Sequence, residues 1–295
     1  MKWQIGRRSS NVEDRRADGP GGIGGLGGGI GRLGFGGIAI VVVISLLLGK
    51  NPLDMLSLLS GQGDPTAQQA PTGQPKAPPV NDEASQFVST ILGSTEDVWG
   101  KQFKAAGNDY PAPKLVMFSG AVASGCGQAS SAMGPFYCPL DHQVYLDTSF
   151  FEDMRTKLGG GGDFAEAYVI AHEVGHHIQT LTGVAAKIDA QRQRGEPMEG
   201  DNGLSVRQEL QADCYAGVWA NQAQQQNQWL EQGDVEEALN TATAIGDDRL
   251  QKQSRGTVVP DSFTHGTSEQ RVRWFRNGFE SGDVGRCDTF AAKQL

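Results

Sequence analysis

From residue 83 onward the apolar positions fall into helical spacing. Phe87, Val88, Ile91, Leu92, Val98, Trp99 and Phe103 recur as one helical face around a break at Gly93-Ser94, and are core candidates. Leu115-Val-Met-Phe118 is a short uninterrupted apolar run suited to a buried strand, whereas Gln143-Val-Tyr-Leu-Asp147 alternates in the manner of an edge strand. Helix-forming composition returns over residues 163–181 and again over 206–219. Beyond these, Asn221 to Gln232 and Asp234 to Leu250 read as solvent-facing helices, and Ser268 caps a short helix that turns Val272 and Phe275 inward. The sum predicts an α+β domain over residues 83–295, mainly helical, with a small β-sheet beside the helix at 163–181.

The first 82 residues follow another pattern. Residues 1–18 are polar and arginine-rich, too short and too charged to fold alone, and with the glycine-dominated stretch that follows they read as a basic, Gly-rich cytoplasmic tail over residues 1–32. Residues 33–49 are 17 uncharged positions, the lower end of what spans a bilayer as a helix, and predict one transmembrane helix. The leader before this run is long, and Lys50-Asn51-Pro52-Leu53-Asp54 offers no small-x-small cleavage pattern, so the run is expected to stay as an anchor. Residues 50–82 form a linker, with five prolines between Ser60 and Pro79 among Gln, Ala, Thr and Gly. The glycine coincidences of Gly19 to Gly37 follow no strand and make no nucleotide site.

Charge adds orientation. The formal net charge is −9, and nothing in the chain suggests nucleic acid. Residues 1–33 carry six Arg/Lys against three acids, while the acids dominate beyond residue 50. Positive charge before the apolar run is expected to put the amino terminus in the cytoplasm and the domain of residues 83–295 outside the inner membrane, in the periplasmic or other extracytoplasmic space.

The chemistry concentrates in His172-Glu173-Val174-Gly175-His176. Residues four apart on a helix lie about 40° apart on one face, so both imidazoles can bind one ion. Glu173 projects to the side of that pair, in the place of a general base that is not itself a ligand. The pattern H-E-x-x-H is a metallopeptidase motif. Downstream, Glu209 and Asp213 share a second helical face; Glu209 supplies a third ligand, and Asp213 an acceptor for the other ring nitrogen of a ligand histidine. His177 lies about 140° around the helix from His172 and is read as a non-ligand, as is His142.

E-x-x-A-D following H-E-x-G-H is similar to the gluzincin metallopeptidases, especially membrane zinc proteases of the CAAX-processing type. The start Met-Lys-Trp-Gln-Ile-Gly-Arg-Arg-Ser-Ser-Asn-Val-Glu-Asp-Arg-Arg and the block Glu209-Leu-Gln-Ala-Asp-Cys-Tyr-Ala-Gly217 resemble the bacterial family described as putative neutral zinc metallopeptidases, over nearly the whole chain. That resemblance implies a zincin-like fold and a single-pass membrane topology. His265 resembles the Thr-His element that follows the third ligand in the CAAX-type proteases, where a histidine stabilises an oxyanion; a structural role, capping a helix or binding a carboxylate, stays open beside it.

Four cysteines, Cys126, Cys138, Cys214 and Cys287, allow three pairings. Cys126 and Cys138 bracket a loop rich in Gly, Ser and Ala that a disulfide would staple, which by elimination pairs Cys214 with Cys287; cysteine ligands to zinc lack any C-x-x-C spacing. The sequence therefore predicts a membrane-anchored peptidase with Zn2+ held by His172, His176 and Glu209, acting on protein or peptide substrates, with Glu173 and His265 as its catalytic candidates. A non-enzymatic, zinc-stabilised protein that binds peptides or a partner is the contrasting class, and Glu173 argues against it. Oligomeric state is not written in the sequence.

Overall fold

The computed structural model describes residues 1–18 and 82–295. A four-stranded sheet has the order β1 (Val12–Asp14), β2 (Lys114–Phe118), β6 (Gln143–Asp147), β5 (Phe136–Cys138). The first three strands run parallel and β5 runs antiparallel to β6. A separate hairpin joins β3 (Ala121–Ser124) to β4 (Gly127–Ser130). The rest is helical: α1 (Glu83–Ala105), α2 (Ser149–Asp153), α3 (Asp163–Leu181), α4 (Val184–Gln193), α5 (Leu204–Asn227), α6 (Asp234–Ala244), α7 (Asp247–Arg255) and α8 (Ser268–Ser281). The α+β class, mainly helical with a small sheet, is as the hydrophobic pattern predicts.

Three helices carry the core, and they meet at residues without bulk. A Cβ placed on Gly175 of α3 would lie 3.0 Å from the Ala212 Cα of α5. On the other side of α5, a Cβ on Gly217 would strike the Phe275 carbonyl of α8, and one on Gly278 the Cys214 carbonyl. The backbones therefore approach closely, and Tyr168, Val174, Leu210, Trp219 and Phe275 fill the space around the crossings. The N-cap of α8 is Thr267, one residue before the Ser268 cap read from sequence, and Thr267 and Gln270 form a capping box. Phe275 is buried as expected and Val272 only half-buried.

Two strand and helix expectations are revised. Gln143–Asp147 is internal, flanked by β2 and β5, which is why Val144 to Asp147 are all buried; the sheet edges are β1 and β5. Likewise α1 runs unbroken through Gly93-Ser94. Gly93 is small because the Arg7 carbonyl comes to 2.5 Å from where its Cβ would be.

Residues 1–18 are not a separate tail. β1 is an edge strand of the main sheet, with Val12, Glu13 and Asp14 in register with Leu115, Val116 and Met117. Trp3 is buried edge-to-face against Phe87, and the Ser9 N–H donates to the Ser89 carbonyl at 2.8 Å. Arg7 reaches Glu96, Asp97 and the Gly93 carbonyl of α1. The segment cannot bury a core alone, but a sheet and a helix already built supply what it lacks. The apolar run 33–49 lies outside the described residues, as does the linker up to residue 81; among the described residues no helix is long and apolar enough to cross a membrane.

Both disulfides follow the expected pairing, Cys126 with Cys138 and Cys214 with Cys287. The second ties the carboxyl-terminal segment to the middle of α5.

Gly93→Ala separates the two accounts of residues 1–18 by sign. Were the segment a free tail, alanine inside a helix would stabilise the domain by about 1 kcal/mol. With the Arg7 carbonyl packed there, overpacking costs about 1–3 kcal/mol, so the thermal midpoint is expected to fall.

Candidate metal centre

The crossing of α3 and α5 places His172, His176 and Glu209 in one group whose ligand atoms lie within 4.8 Å of one another. His172 Nε2 is 3.1 Å from one Glu209 oxygen and His176 Nε2 is 3.5 Å from the other. Tetrahedral zinc with bonds of about 2.0–2.1 Å separates its ligand atoms by about 3.3 Å, so this spacing suits such an ion. Among the described residues no other group of His, Cys, Asp and Glu has the arrangement.

Each histidine is fixed through its other nitrogen. His172 Nδ1 donates to Asp213 at 2.8 Å, and His176 Nδ1 donates to the Gln179 side-chain oxygen at 2.9 Å. Both rings thereby turn Nε2 toward Glu209, the tautomer and orientation a metal requires. Gln179 is itself held, donating to the Gln208 carbonyl and the Gln211 side chain. It sits one turn beyond His176 and was not singled out from sequence, where an uncharged Gln carries no metal-site signal.

Asp213 is fully buried and shared. It accepts from His172, from the Tyr168 hydroxyl at 2.5 Å and from Arg271 through two bonds of 2.9 Å. Burial raises its pKa, but Arg271 and then His172 outweigh that and hold it at about 2. Glu209 is also held well below the usual range against burial, chiefly by His176 and His172. Burial works against charge on His172, yet Asp213 and Glu209 push its pKa up to about 10. The site thus favours positive charge at its centre, which a divalent cation meets better than a proton. Glu173 is buried beside the group, and burial raises its pKa while the two histidines lower it. A buried carboxylate with a raised pKa, held beside the ligand group, has the character of a general base.

His172, Glu173, His176 and Glu209 line one cavity of about 430 Å³ with Tyr168, Arg271 and His265. Its walls are largely apolar, with Met133, Phe136, Phe150, Val169 and Leu250 among them. Asp247, at the start of α7, accepts the backbone N–H groups of Thr264, His265 and Gly266 through Oδ2, while Oδ1 lies 3.3 Å from His265 Nδ1. His265 is therefore presented to the cavity with Nδ1 tied back, leaving Nε2 as its free nitrogen. Its pKa is raised, since Asp247 and Glu209 overcome burial. His177 points elsewhere, accepting from Tyr137 and donating to the Pro111 carbonyl, and burial lowers its pKa to about 4. His142 packs against the His177 ring.

A family model described as "Putative neutral zinc metallopeptidase" matches residues 1–290. The chain belongs to this family. It is similar to the "Uncharacterized protein YpfJ" of Escherichia coli K12, 54% identical over 290 residues that cover 98% of this chain and 99% of the relative. It is also similar to the "Uncharacterized protein Rv2575" of Mycobacterium tuberculosis H37Rv, 44% identical over 223 residues, 72% of this chain and 74% of the relative. No solved structure matches. The family name implies zinc, and the His/His/Glu group is a donor set that fits it.

Arg271→Met leaves Asp213 buried without its cation, which typically costs about 3–5 kcal/mol; a large fall in the thermal midpoint is expected, together with weaker zinc retention. Asp213→Asn is expected to reduce zinc affinity about 10–100-fold by competition with a chelator. His177→Ala should leave zinc content unchanged.

Proposed function

We propose that the protein is a zinc-dependent peptidase working outside the cytoplasm, attached to the membrane through the apolar run 33–49 and cleaving protein or peptide substrates. The observation that carries this reading is the placement of Glu173 against the His172, His176 and Glu209 group at the floor of an apolar-walled cavity. A structural zinc site has no use for a further, non-ligating carboxylate held buried beside it.

Bound by these three side chains, zinc would supply Lewis acidity and lower the pKa of a water in its open position. Glu173 takes the proton from the attacking water, which its raised pKa favours, and hands it to the more basic leaving amine. His265, with Nδ1 tied to Asp247, donates from Nε2 to the developing oxyanion. Asp213 and Gln179 keep the ligand rings from rotating, and Arg271 keeps Asp213 ionised. The substrate would lie extended along β5, whose outer edge has no strand partner among the described residues and whose Phe136 and Tyr137 line the cavity. The apolar wall then receives one apolar side chain next to the cleaved bond.

Glu173→Gln, zinc-loaded and folded, is expected to lose about a hundred- to ten-thousand-fold in the rate of cleaving unfolded protein substrates. His265→Ala is expected to lose on the order of a hundred-fold. If wild type and Glu173→Gln prove equally inert towards unfolded proteins and a broad peptide library, the peptidase reading fails and a peptide-binding role replaces it.

A further inference from the structure

The described chain stops at Asp18 and resumes at Asp82, and those two points lie side by side. Arg16 bridges them: its Nη2 is 2.5 Å from the Asp82 carboxylate and 2.8 Å from the Ser85 hydroxyl, while the same guanidinium pairs with Asp14. Asp82 in turn caps α1 by accepting from the Ser85 N–H. The hydrocarbon core of a bilayer is about 30 Å thick. A chain that crossed it once between residues 19 and 81 would put Arg16 and Asp82 on opposite faces, and with them β1 and its partner β2.

The arginines that suggested a cytoplasmic amino terminus are used in the fold. Arg7 pairs with Glu96 and Asp97, Arg15 with Glu13, Arg16 with Asp14 and Asp82, and Arg8 donates to Gln86. Asn11 and Ser9 add two bonds to Glu96. Their positive charge answers carboxylates of the domain and of β1 itself, so it need not mark a side of the membrane. Removing residues 1–18 to another compartment would also uncover Trp3, Val12 and the edge of β2. Both disulfides favour an oxidising compartment for the domain, and no described cysteine is free.

We propose that residues 1–18 and the domain of residues 82–295 share one compartment, outside the cytoplasm. The number of complete crossings between residues 19 and 81 is then even. This holds whether or not the domain is a peptidase.

The test uses single added cysteines in the full-length protein, since the four native ones are paired. Ser10 and Gln193 are exposed, one in the amino-terminal segment and the other on α4, and Lys2 is a second exposed amino-terminal position. Ser10→Cys, Lys2→Cys and Gln193→Cys proteins are treated in intact bacterial spheroplasts with a membrane-impermeant maleimide, after each purified variant is shown to melt like wild type. Labelling at all three positions without permeabilisation is the expected result. Labelling of Gln193→Cys alone, with both amino-terminal positions reached only after permeabilisation, means a single crossing and overturns the proposal. Protection of all three places the domain in the cytoplasm and overturns it equally.

Discussion

A single carboxylate with no access to water sets the terms for the rest of the structure. Asp213 is charged in a place where charge is costly, and the cost is met only if Arg271, Tyr168 and His172 arrive together with their hydrogens pointed at it. Those three come from α8 and from two successive turns of α3. The ion pair therefore acts as an assembly condition: a fold in which α8 sat one turn away would strand a buried negative charge. The same condition aims the His172 ring, so the element that makes the core specific also prepares the metal centre.

Around that condition the packing is tight because it is built from small residues. Gly217 and Gly278 let α8 lie on α5, and Cys214 of that contact is held again by its bond to Cys287. The second disulfide brings the carboxyl-terminal segment over α5, where Gln211 donates to the Cys287 carbonyl and the Arg207 side chain to carbonyls near the end of the chain. The turn of α5 that carries Glu209 is thus held from three directions, by α3, by α8 and by this segment.

The centre of the site was legible because its parts repeat within a helix turn. His172 and His176, and then Glu209 and Asp213, each stand four apart, a spacing that carries its own geometry. Arg271 had no such signal: it lies 58 residues from Asp213, and only the crossing of α5 and α8 unites them. Asp247 was equally hidden, since its role is to collect three N–H groups of a loop that follows much later. The amino-terminal arginines were visible as charge but not as partners of Glu96 and Asp82, because those partners lie 66 to 89 residues away along the chain. Gly93 resembled a helix break for the same reason, because intrinsic preference was visible and the Arg7 carbonyl that needs the space was not. The error on Gln143–Asp147 is of the same kind: alternation suggested one exposed face, but neighbours on both sides and cover above and below bury it.

The glycine between His172 and His176 works as a dimensional gauge. Metal coordination accepts deviations of about 0.2 Å from its preferred bond lengths. A methyl group at position 175 would sit 3.0 to 3.2 Å from the Ala212 atoms facing it, and the two helices would have to part by a few tenths of an ångström to admit it. An alanine at position 175, which adds one carbon to an apolar contact and touches no donor atom, would therefore part the helices that carry His172, His176 and Glu209 by a distance comparable to that tolerance.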